Sequence, residues 1–294
     1  MKKRSSLLLA LAVVALARPA FGIIVINSND SVATTAPANG APWNYVGSLA
    51  DKYGLRASAV YLGNRYILTA NHVDQDMTDF YLNGTDYKID LTFTSATFSN
   101  TDLRLMRITQ DAGLPPLRLA QPSDNTFSQS ATMIGFGVGK GTAVPNQGWD
   151  WSTDNLTRVE RWATNTTDST YFTNVGYTTL RTTFDITAGL QTGQLTGGDS
   201  GGGLFEKING VWTLVGIADD EDDAGNWAFY NQSTTLPAQP AHSFFQAIAP
   251  YQSLIQAQEV PSRPPVWMAA LGLATLCGLI RMRSVGQGTG PEEA

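Results

Sequence analysis

Two short turn signals, each inside a strand-like stretch, place the tightest limit on how this chain can fold. Gly63-Asn64 interrupts the stretch 58–70, and Asn209-Gly210 interrupts the stretch 203–217. Glycine and asparagine tolerate the positive φ that two-residue hairpin turns require. Both stretches are therefore predicted to form hairpins, and the chain is expected to build antiparallel β-sheet.

The rest of the central region agrees with this interpretation. Further strand-like runs occur at 87–93, 102–108 and 131–136, and residues 142–170 are expected to form a long loop system. Helical spacing is found only at 243–256, where apolar residues recur every three or four positions. Many strands followed by one terminal helix predict an all-β double barrel.

The first 22 residues have the features of an export signal. A basic start at 2–4 precedes the apolar run Leu7 to Ala17, and small residues follow up to Gly22. The alternative is a membrane anchor, but this run is shorter than the roughly 20 residues that a bilayer core requires. Residues 1–22 are thus predicted to be a signal peptide, with Ile23 as the mature start.

The segment 259–294 contains a second apolar run, 266–280, between prolines and a basic pair, Arg281 and Arg283. By length it suits a buried core helix, whereas the adjacent basic residues favour a membrane stop. The Val-Pro-Ser-Arg-Pro stretch, this run and the basic pair together resemble the PEP-CTERM sorting signal of bacterial surface proteins. That resemblance implies sorting machinery as a partner and a cell-envelope or outer-surface location, either membrane-tethered or secreted after processing of the tail.

Residues 23–258 remain as the exported body, expected to be a single two-barrel domain. They contain 12 basic and 22 acidic residues, a balance that disfavours nucleic acid as a partner. The only cysteine, Cys277, lies in the tail. The body therefore has no disulfide and no cysteine metal site, and its core must hold it together.

Three segments, in chain order, contain the residue types of nucleophilic catalysis. They are Thr-Ala-Asn-His-Val at 69–73, Asn-Thr-Asp-Leu-Arg-Leu-Met at 100–106 and Gly-Gly-Asp-Ser-Gly-Gly-Gly at 197–203. A serine hydroxyl needs a base to take its proton, and an imidazole titrates near neutrality. His72 and Ser200 are therefore candidates for base and nucleophile.

The same segments resemble the Thr-Ala-Ala-His, Asp-Ile-Ala-Leu-Leu-like and Gly-Asp-Ser-Gly-Gly motifs of the trypsin-like (chymotrypsin-fold) serine proteases. The resemblance implies two six-stranded antiparallel β-barrels of chymotrypsin type with a C-terminal helix. It implies catalytic roles for His72, Asp102 and Ser200, and an oxyanion hole formed by the amides of Gly198 and Ser200. The expected activity is that of a serine endopeptidase acting on proteins or peptides.

Each motif has a simpler interpretation. Gly-Asp-Ser-Gly alone is compatible with an ordinary turn. Asp74, Asp76 and Asp79 are nearer to the histidine in sequence than Asp102, but they lie in a polar loop, whereas Asp102 opens an apolar strand. The second histidine, His242, has no motif around it and is expected to be a surface or capping residue.

The resemblance also suggests how the enzyme is activated. In the family, the aspartate before the nucleophile pairs with a newly freed N-terminal amine. Signal removal after Gly22 would supply such an amine at Ile23, and the hypothesis is that it pairs with Asp199. The alternative is that Asp199 meets an internal donor.

Substrate preference is harder to predict. The resemblance puts Gln194 at the base of the primary pocket, where an aspartate would mark a preference for Lys or Arg. The acidic run Asp219, Asp220, Glu221 is expected at the pocket wall, where it would attract basic substrates or bind calcium through oxygen ligands. A solvated loop is an equally good interpretation of that run.

Two other functions share these features. One is a catalytically silent binding module with the same fold, presented at the cell surface. The other is an esterase with the same triad, because acyl transfer to water does not require an amide substrate.

Overall fold

A computed structural model describes residues 22–27, 32–73, 76–154, 158–222, 226–231 and 240–259. The predicted signal peptide up to Phe21 and the predicted sorting tail from Val260 lie outside the described residues. Contacts divide the chain into a large unit, 1–252, and a smaller one, 253–294. Among the described residues, no helix has the length and apolar character needed to cross a bilayer.

The first sheet of the large unit takes its strands from the N-terminal half of the body. It contains β2 Val46–Asp51, β3 Gly54–Gly63, β4 Tyr66–Ala70, β5 Asp79–Leu82, β6 Thr85–Lys88, β7 Ala96–Thr97 and β8 Leu103–Arg107. The strand order is β6-β5-β2-β3-β4-β8-β7, and the pairs are antiparallel. Its core includes fully buried Tyr61, Ile67 and Phe80. Burying these side chains supplies the main stabilisation of a sheet without disulfides.

The second sheet takes its strands from the C-terminal half. It contains β9 Arg118–Leu119, β10 Ser130–Gly135, β13 Arg161–Thr166, β14 Phe172–Asn174, β15 Tyr177–Thr183, β17 Gly203–Ile208, β18 Val211–Glu221 and β20 His242–Ala247. The order is β13-β10-β17-β18-β20-β15-β14, with the short β9 parallel to β18. Leu204, Phe205 and Phe245 are fully buried.

Two smaller sheets and one helix complete the description. They are β1 Ile24–Val25 with β16 Gly193–Gln194, and β11 Lys140–Val144 with β12 Gly148–Trp151 and β19 Trp227–Phe229. Helix α1, Gln252–Glu259, is the single described α-helix. The predicted all-β class with a C-terminal helix is confirmed. The two large sheets contain seven and eight strands, counting the short strands β7, β9 and β14.

Both predicted hairpins are confirmed as β3–β4 and β17–β18. In the first turn Asn64 and Arg65 have φ of 51° and 74°, and in the second Asn209 and Gly210 have φ of 51° and 80°. The first turn therefore lies one residue later than predicted, at Asn64 and Arg65, and Gly63, with a φ of 107°, ends β3. The need for positive φ explains why asparagine and glycine mark both stretches.

Two sequence predictions are wrong. The stretch 243–256 does not form one helix: residues up to Ala247 belong to β20, which pairs with β15 and β18, and α1 begins only at Gln252. Sheet pairing overrides the helical spacing of its apolar residues. The stretch 142–170 is not a long loop, because it contains most of β11 and all of β12 and β13.

Candidate active site

The first sheet supplies two of the three predicted catalytic residues. His72 follows β4 and Asp102 precedes β8, and these strands are paired up to Ala70 and Leu103. The neighbouring strand ends therefore bring the two side chains together. The backbone amide of His72 donates to Asp102 Oδ1 at 2.8 Å, and His72 Nδ1 shares a hydrogen bond with Asp102 Oδ2. His72 thus contacts both carboxylate oxygens of Asp102, one through its backbone and one through its ring.

The second sheet supplies the third residue, in the turn before β17. Ser200 Oγ lies 2.9 Å from His72 Nε2. The amide of Ser58 donates to the carbonyl of Ser200 at 2.9 Å, and the amide of Gly201 donates to the carbonyl of Ala218 at 2.8 Å. Strands of both sheets therefore fix the position of the serine against the imidazole.

The environment makes His72 a stronger base than a free histidine. Asp102 is 4% exposed, whereas the His72 side chain is about half exposed. The pKa of His72 is raised, chiefly by its hydrogen bond to Asp102; burial opposes this, and the charges of Asp102, Asp219 and Asp220 add to it. An aspartate at Nδ1 also leaves Nε2 as the acceptor for the serine proton.

The predicted oxyanion hole lies in the same turn. Gly198 has a φ of 97°, and its carbonyl accepts a hydrogen bond from Ser58 Oγ at 3.0 Å. Within the described residues, the amides of Gly198 and Ser200 donate no hydrogen bond to other protein groups. A Cβ at position 198 would stand 1.6 Å from the Arg158 guanidinium. The positive φ therefore favours glycine here, and a larger residue would also displace the flexible guanidinium of Arg158.

Asp199 is fully buried behind this turn. It accepts hydrogen bonds from the amide of Gly137 at 2.6 Å, the amide of Thr196 at 2.9 Å and Thr196 Oγ1 at 3.0 Å. A Cβ at Gly135 or Gly137 would lie within 2.4 Å of its carboxylate. Burial raises the pKa of Asp199 to about 6, although these donors and the charge of Arg161 act in the opposite direction.

The predicted mature start lies in the same region. Ile23 is 1% exposed, and Ile24 pairs with Gln194 across β1 and β16. A Cβ at Gly22 would stand 2.9 Å from the carbonyl oxygen of Gly137, the residue whose amide donates to Asp199. The chain before β1 therefore passes close to Gly137, in the segment after β10 that contacts Asp199.

Gln194, the predicted pocket base, is completely buried in β16. Neither its side-chain oxygen nor its nitrogen has a hydrogen-bond partner among the described residues. An amide without partners in a buried position is costly, since each such group loses its hydration. Its role in substrate selection stays a prediction.

The acidic run does not converge on one point. Asp219 faces His72, Asp220 accepts a hydrogen bond from Asn174 at 3.0 Å, and Asp222 bonds to the backbone and ring of His242. Glu221 ends β18. We therefore assign these residues no metal-ligand role, and calcium binding stays a prediction from the sequence. His242, expected to be a surface or capping residue, starts β20 and bonds to Asp222; its side chain is partly exposed and caps none of the described helices.

Two clefts lie near the candidate site, one lined by triad residues and the other by Gly197 of the nucleophile turn. One, of about 320 Å³, is lined by His72, Asp102, Val175, Tyr177, Asp219 and Asp220. The other, of about 300 Å³, is lined by residues that include Val138, Trp151, Arg158, Gly197 and Asn226. The first cleft is acidic and the second contains a guanidinium, so the two clefts differ in charge.

Gln246 is a residue of this site that the sequence did not reveal. Its Oε1 accepts hydrogen bonds from Thr101 Oγ1 at 2.7 Å and from the amide of Asp102 at 3.1 Å, and its Nε2 donates to Asp219 Oδ2 at 2.7 Å. It lies on β20, inside the stretch predicted to be helical. Because this stretch was predicted to be helical, no pattern in the sequence indicated that the Gln246 side chain contacts Asp102 and Asp219 of β18.

This fold and this arrangement of serine, histidine and aspartate define the class of serine-protease-like double β-barrels. Two solved structures share the fold. Neuropsin, a serine protease expressed in the limbic system of mouse brain, matches with a TM-score of 0.52 and 17% identity, over 78% of this chain and 98% of that chain. The HtrA-type protease AlgW with a tripeptide matches with a TM-score of 0.50 and 16% identity, over 78% of this chain and 61% of that chain.

The amino-acid sequence identifies the family to which this chain belongs. The trypsin-like peptidase domain matches residues 57–217, which is more than half of the chain. The chain belongs to this family of trypsin-like peptidases. No curated protein matches it as a relative. The matched region contains His72, Asp102 and Ser200.

Proposed function

We propose that this protein is an exported serine endopeptidase that hydrolyses peptide bonds through an acyl-enzyme on Ser200, with His72 as general base. The observation that carries the proposal is the continuous hydrogen-bonded order Asp102, His72, Ser200, with 2.9 Å between His72 Nε2 and Ser200 Oγ. That distance suits direct proton transfer from the nucleophile to the base.

The reaction has two halves. Ser200 Oγ attacks the substrate carbonyl carbon as its proton passes to His72 Nε2, and His72 then gives that proton to the leaving amine as the C–N bond breaks. Water attacks the resulting ester in the same way, and its proton returns through His72 to Ser200. Asp102 stabilises the imidazolium that forms in each half.

The amides of Gly198 and Ser200 would bind the oxyanion in both halves. A preorganised donor of this kind contributes about 3–4 kcal/mol to transition-state stabilisation. Support comes from the positive φ of Gly198, which orients its amide, and from the bond of Ser58 to the Gly198 carbonyl.

The first expected result separates this function from its alternatives. The purified protein should react with a fluorophosphonate probe and should cleave a mixed peptide library. A silent binding module would do neither. An esterase would take up the probe and hydrolyse simple esters while leaving the peptides intact, so that peptide cleavage decides for an endopeptidase.

We further propose that removal of the signal peptide activates the enzyme, because it frees the Ile23 amine near Asp199. A buried carboxylate without a counter-charge is costly, and an ammonium beside it would offset that cost. The burial of Ile23, the close approach of Gly22 to Gly137 and the raised pKa of Asp199 support the pairing. The internal donors Gly137 and Thr196 are the competing explanation.

The second expected result tests this pairing. A chain that begins at Ile23 should react with the probe about 100-fold faster than one that begins at Gly22, because loss of a buried ion pair costs about 3 kcal/mol. Both chains should show the same circular dichroism, which controls for folding. Equal labelling rates would mean that the internal donors and Arg161 suffice for Asp199.

We also propose export to the cell envelope or outer surface, with the tail as tether or sorting signal. The basic and apolar start of the chain, the acidic body without cysteine, and the apolar run 266–280 support this location. Protein and peptide substrates would then be met outside the cytoplasm.

A further inference from the structure

A second carboxylate lies beside the candidate triad. Asp219, on β18, has a side chain only 7% exposed, and its Oδ1 is 3.8 Å from His72 Nδ1. One carboxylate oxygen each of Asp102 and Asp219 and a ring nitrogen of His72 all lie within 4.8 Å of one another. Nδ1 of the histidine therefore faces two aspartates rather than one.

Two carboxylates this close in a buried site do not both ionise without a large cost, so one of them retains a proton into the neutral range. The pKa of Asp219 is raised, first by burial and then by its hydrogen bond with Asp102. A proton between the two carboxylates replaces their mutual charge repulsion with a hydrogen bond.

The hydrogen bonds indicate which aspartate holds that proton. Asp102 accepts hydrogen bonds from both the amide and the ring of His72, whereas among the described residues Asp219 accepts one side-chain bond, from Gln246. The orientation of the Gln246 amide is defined, because its oxygen faces the obligatory N–H donor of Asp102. Asp219 is thus the member that donates to Asp102.

We propose that Asp219 is a positioning residue of the triad: it holds a proton against Asp102, and its protonation is coupled to that of His72. This inference rests on the proposed function, since it makes Asp219 part of the machinery that serves Ser200. It acts on the serine only through Asp102 and His72.

Among the described residues, few other charged or titratable groups face His72. Asp102 comes from the residue just before β8, and β18 contributes Asp219 and its neighbour Asp220, which is held by Asn174. The phenol of Tyr177 on β15 lines the same cleft. On the far side, Arg104 bonds to Asn71, the residue before the histidine.

The sign of the effect follows from electrostatics. When Asp219 loses its proton, its negative charge favours protonated His72, so His72 and Asp219 titrate as a coupled pair in two steps. Replacing Asp219 with a neutral residue removes one step and lowers the pH at which His72 titrates. Since catalysis requires neutral His72, the acid limb of the pH profile of kcat/KM also moves to lower pH.

The experiment is an NMR titration of the histidine ring protons in the Ser200→Ala protein, with and without Asp219→Asn. The substitution keeps the bond from Gln246 and a donor for Asp102 without the charge. We expect a two-step curve for His72 with the Asp219 carboxyl present, and a single step about half a pH unit or more lower in the Asp219→Asn protein. The second histidine, His242, is the internal control and should not move.

Asp220→Asn is the matched control, because it removes the adjacent carboxylate; the two-step shape should persist. Asp219→Ser, which also retains a donor without charge, replaces the Asp219→Asn variant if circular dichroism shows that the latter is misfolded. Superimposable His72 curves with and without the Asp219 carboxyl overturn the inference.

The titration and the probe separate this inference from the proposed function. If the wild-type protein takes up the fluorophosphonate and the His72 curves coincide, only the role of Asp219 fails. If it does not take up the probe and the curves still differ as expected, the coupled pair stands and the peptidase function fails.

Discussion

Replacing Ser200 with alanine is expected to lower kcat by about a millionfold and to abolish fluorophosphonate labelling. The reason is that the alanine lacks the Oγ atom that lies 2.9 Å from His72 Nε2 and would form the acyl-enzyme. Losses of about this size accompany removal of a triad nucleophile, and the remaining rate comes from the oxyanion hole and substrate binding. Steady-state kinetics on a cleaved peptide measures the loss.

A suitable control is Ser95→Ala, since Ser95 is exposed and lies outside the candidate site. It should label and turn over like the unaltered protein. Continued labelling of the Ser200→Ala protein would assign the nucleophile to another residue and would contradict the proposed mechanism.

Replacing Asp102 with asparagine is expected to lower kcat/KM by about 10⁴-fold. An asparagine amide can donate to His72 Nδ1, which favours the tautomer with the proton on Nε2 and leaves no acceptor for the serine hydroxyl. The pKa of His72 should also fall, because the bond to Asp102 is the largest cause of its elevation. The rate and the His72 titration are measured on the same protein.

Asp86→Asn is a matched control, because Asp86 is an exposed carboxylate of the first sheet that pairs with a surface lysine, Lys88. It should leave kcat/KM within about twofold, as expected for a surface ion pair. An Asp102→Asn protein as active as this control would make Asp219 the aspartate that serves His72.

Local sequence was a good guide to the features that depend on neighbouring residues. The hairpin turns at Asn64 and Asn209 require positive φ, and few residue types tolerate it. The glycines at 135 and 137, by contrast, are needed because of a residue distant in sequence: a side chain at either position would collide with the buried carboxylate of Asp199.

The sequence predictions failed where pairing between strands distant in sequence outweighed the local spacing of apolar residues. Residues 243–247 have helical spacing, yet β15 and β18 bind them as a strand. For the same reason Gln246 was missed, although it holds Asp102 and Asp219 in place. No spacing in the sequence reports a contact over 144 residues.

The sequence by itself determined the all-β class and the order of His72, Asp102 and Ser200, because these depend on turn conformation and residue chemistry. Only the tertiary structure decided that Asp219 faces His72 while Asp220 and Asp222 turn to other partners. Successive side chains on a strand point in opposite directions, and a bulge between Ala218 and Asp220 alters that alternation. The direction of each carboxylate was therefore set by the pairing of β18, which is a property of the folded sheet.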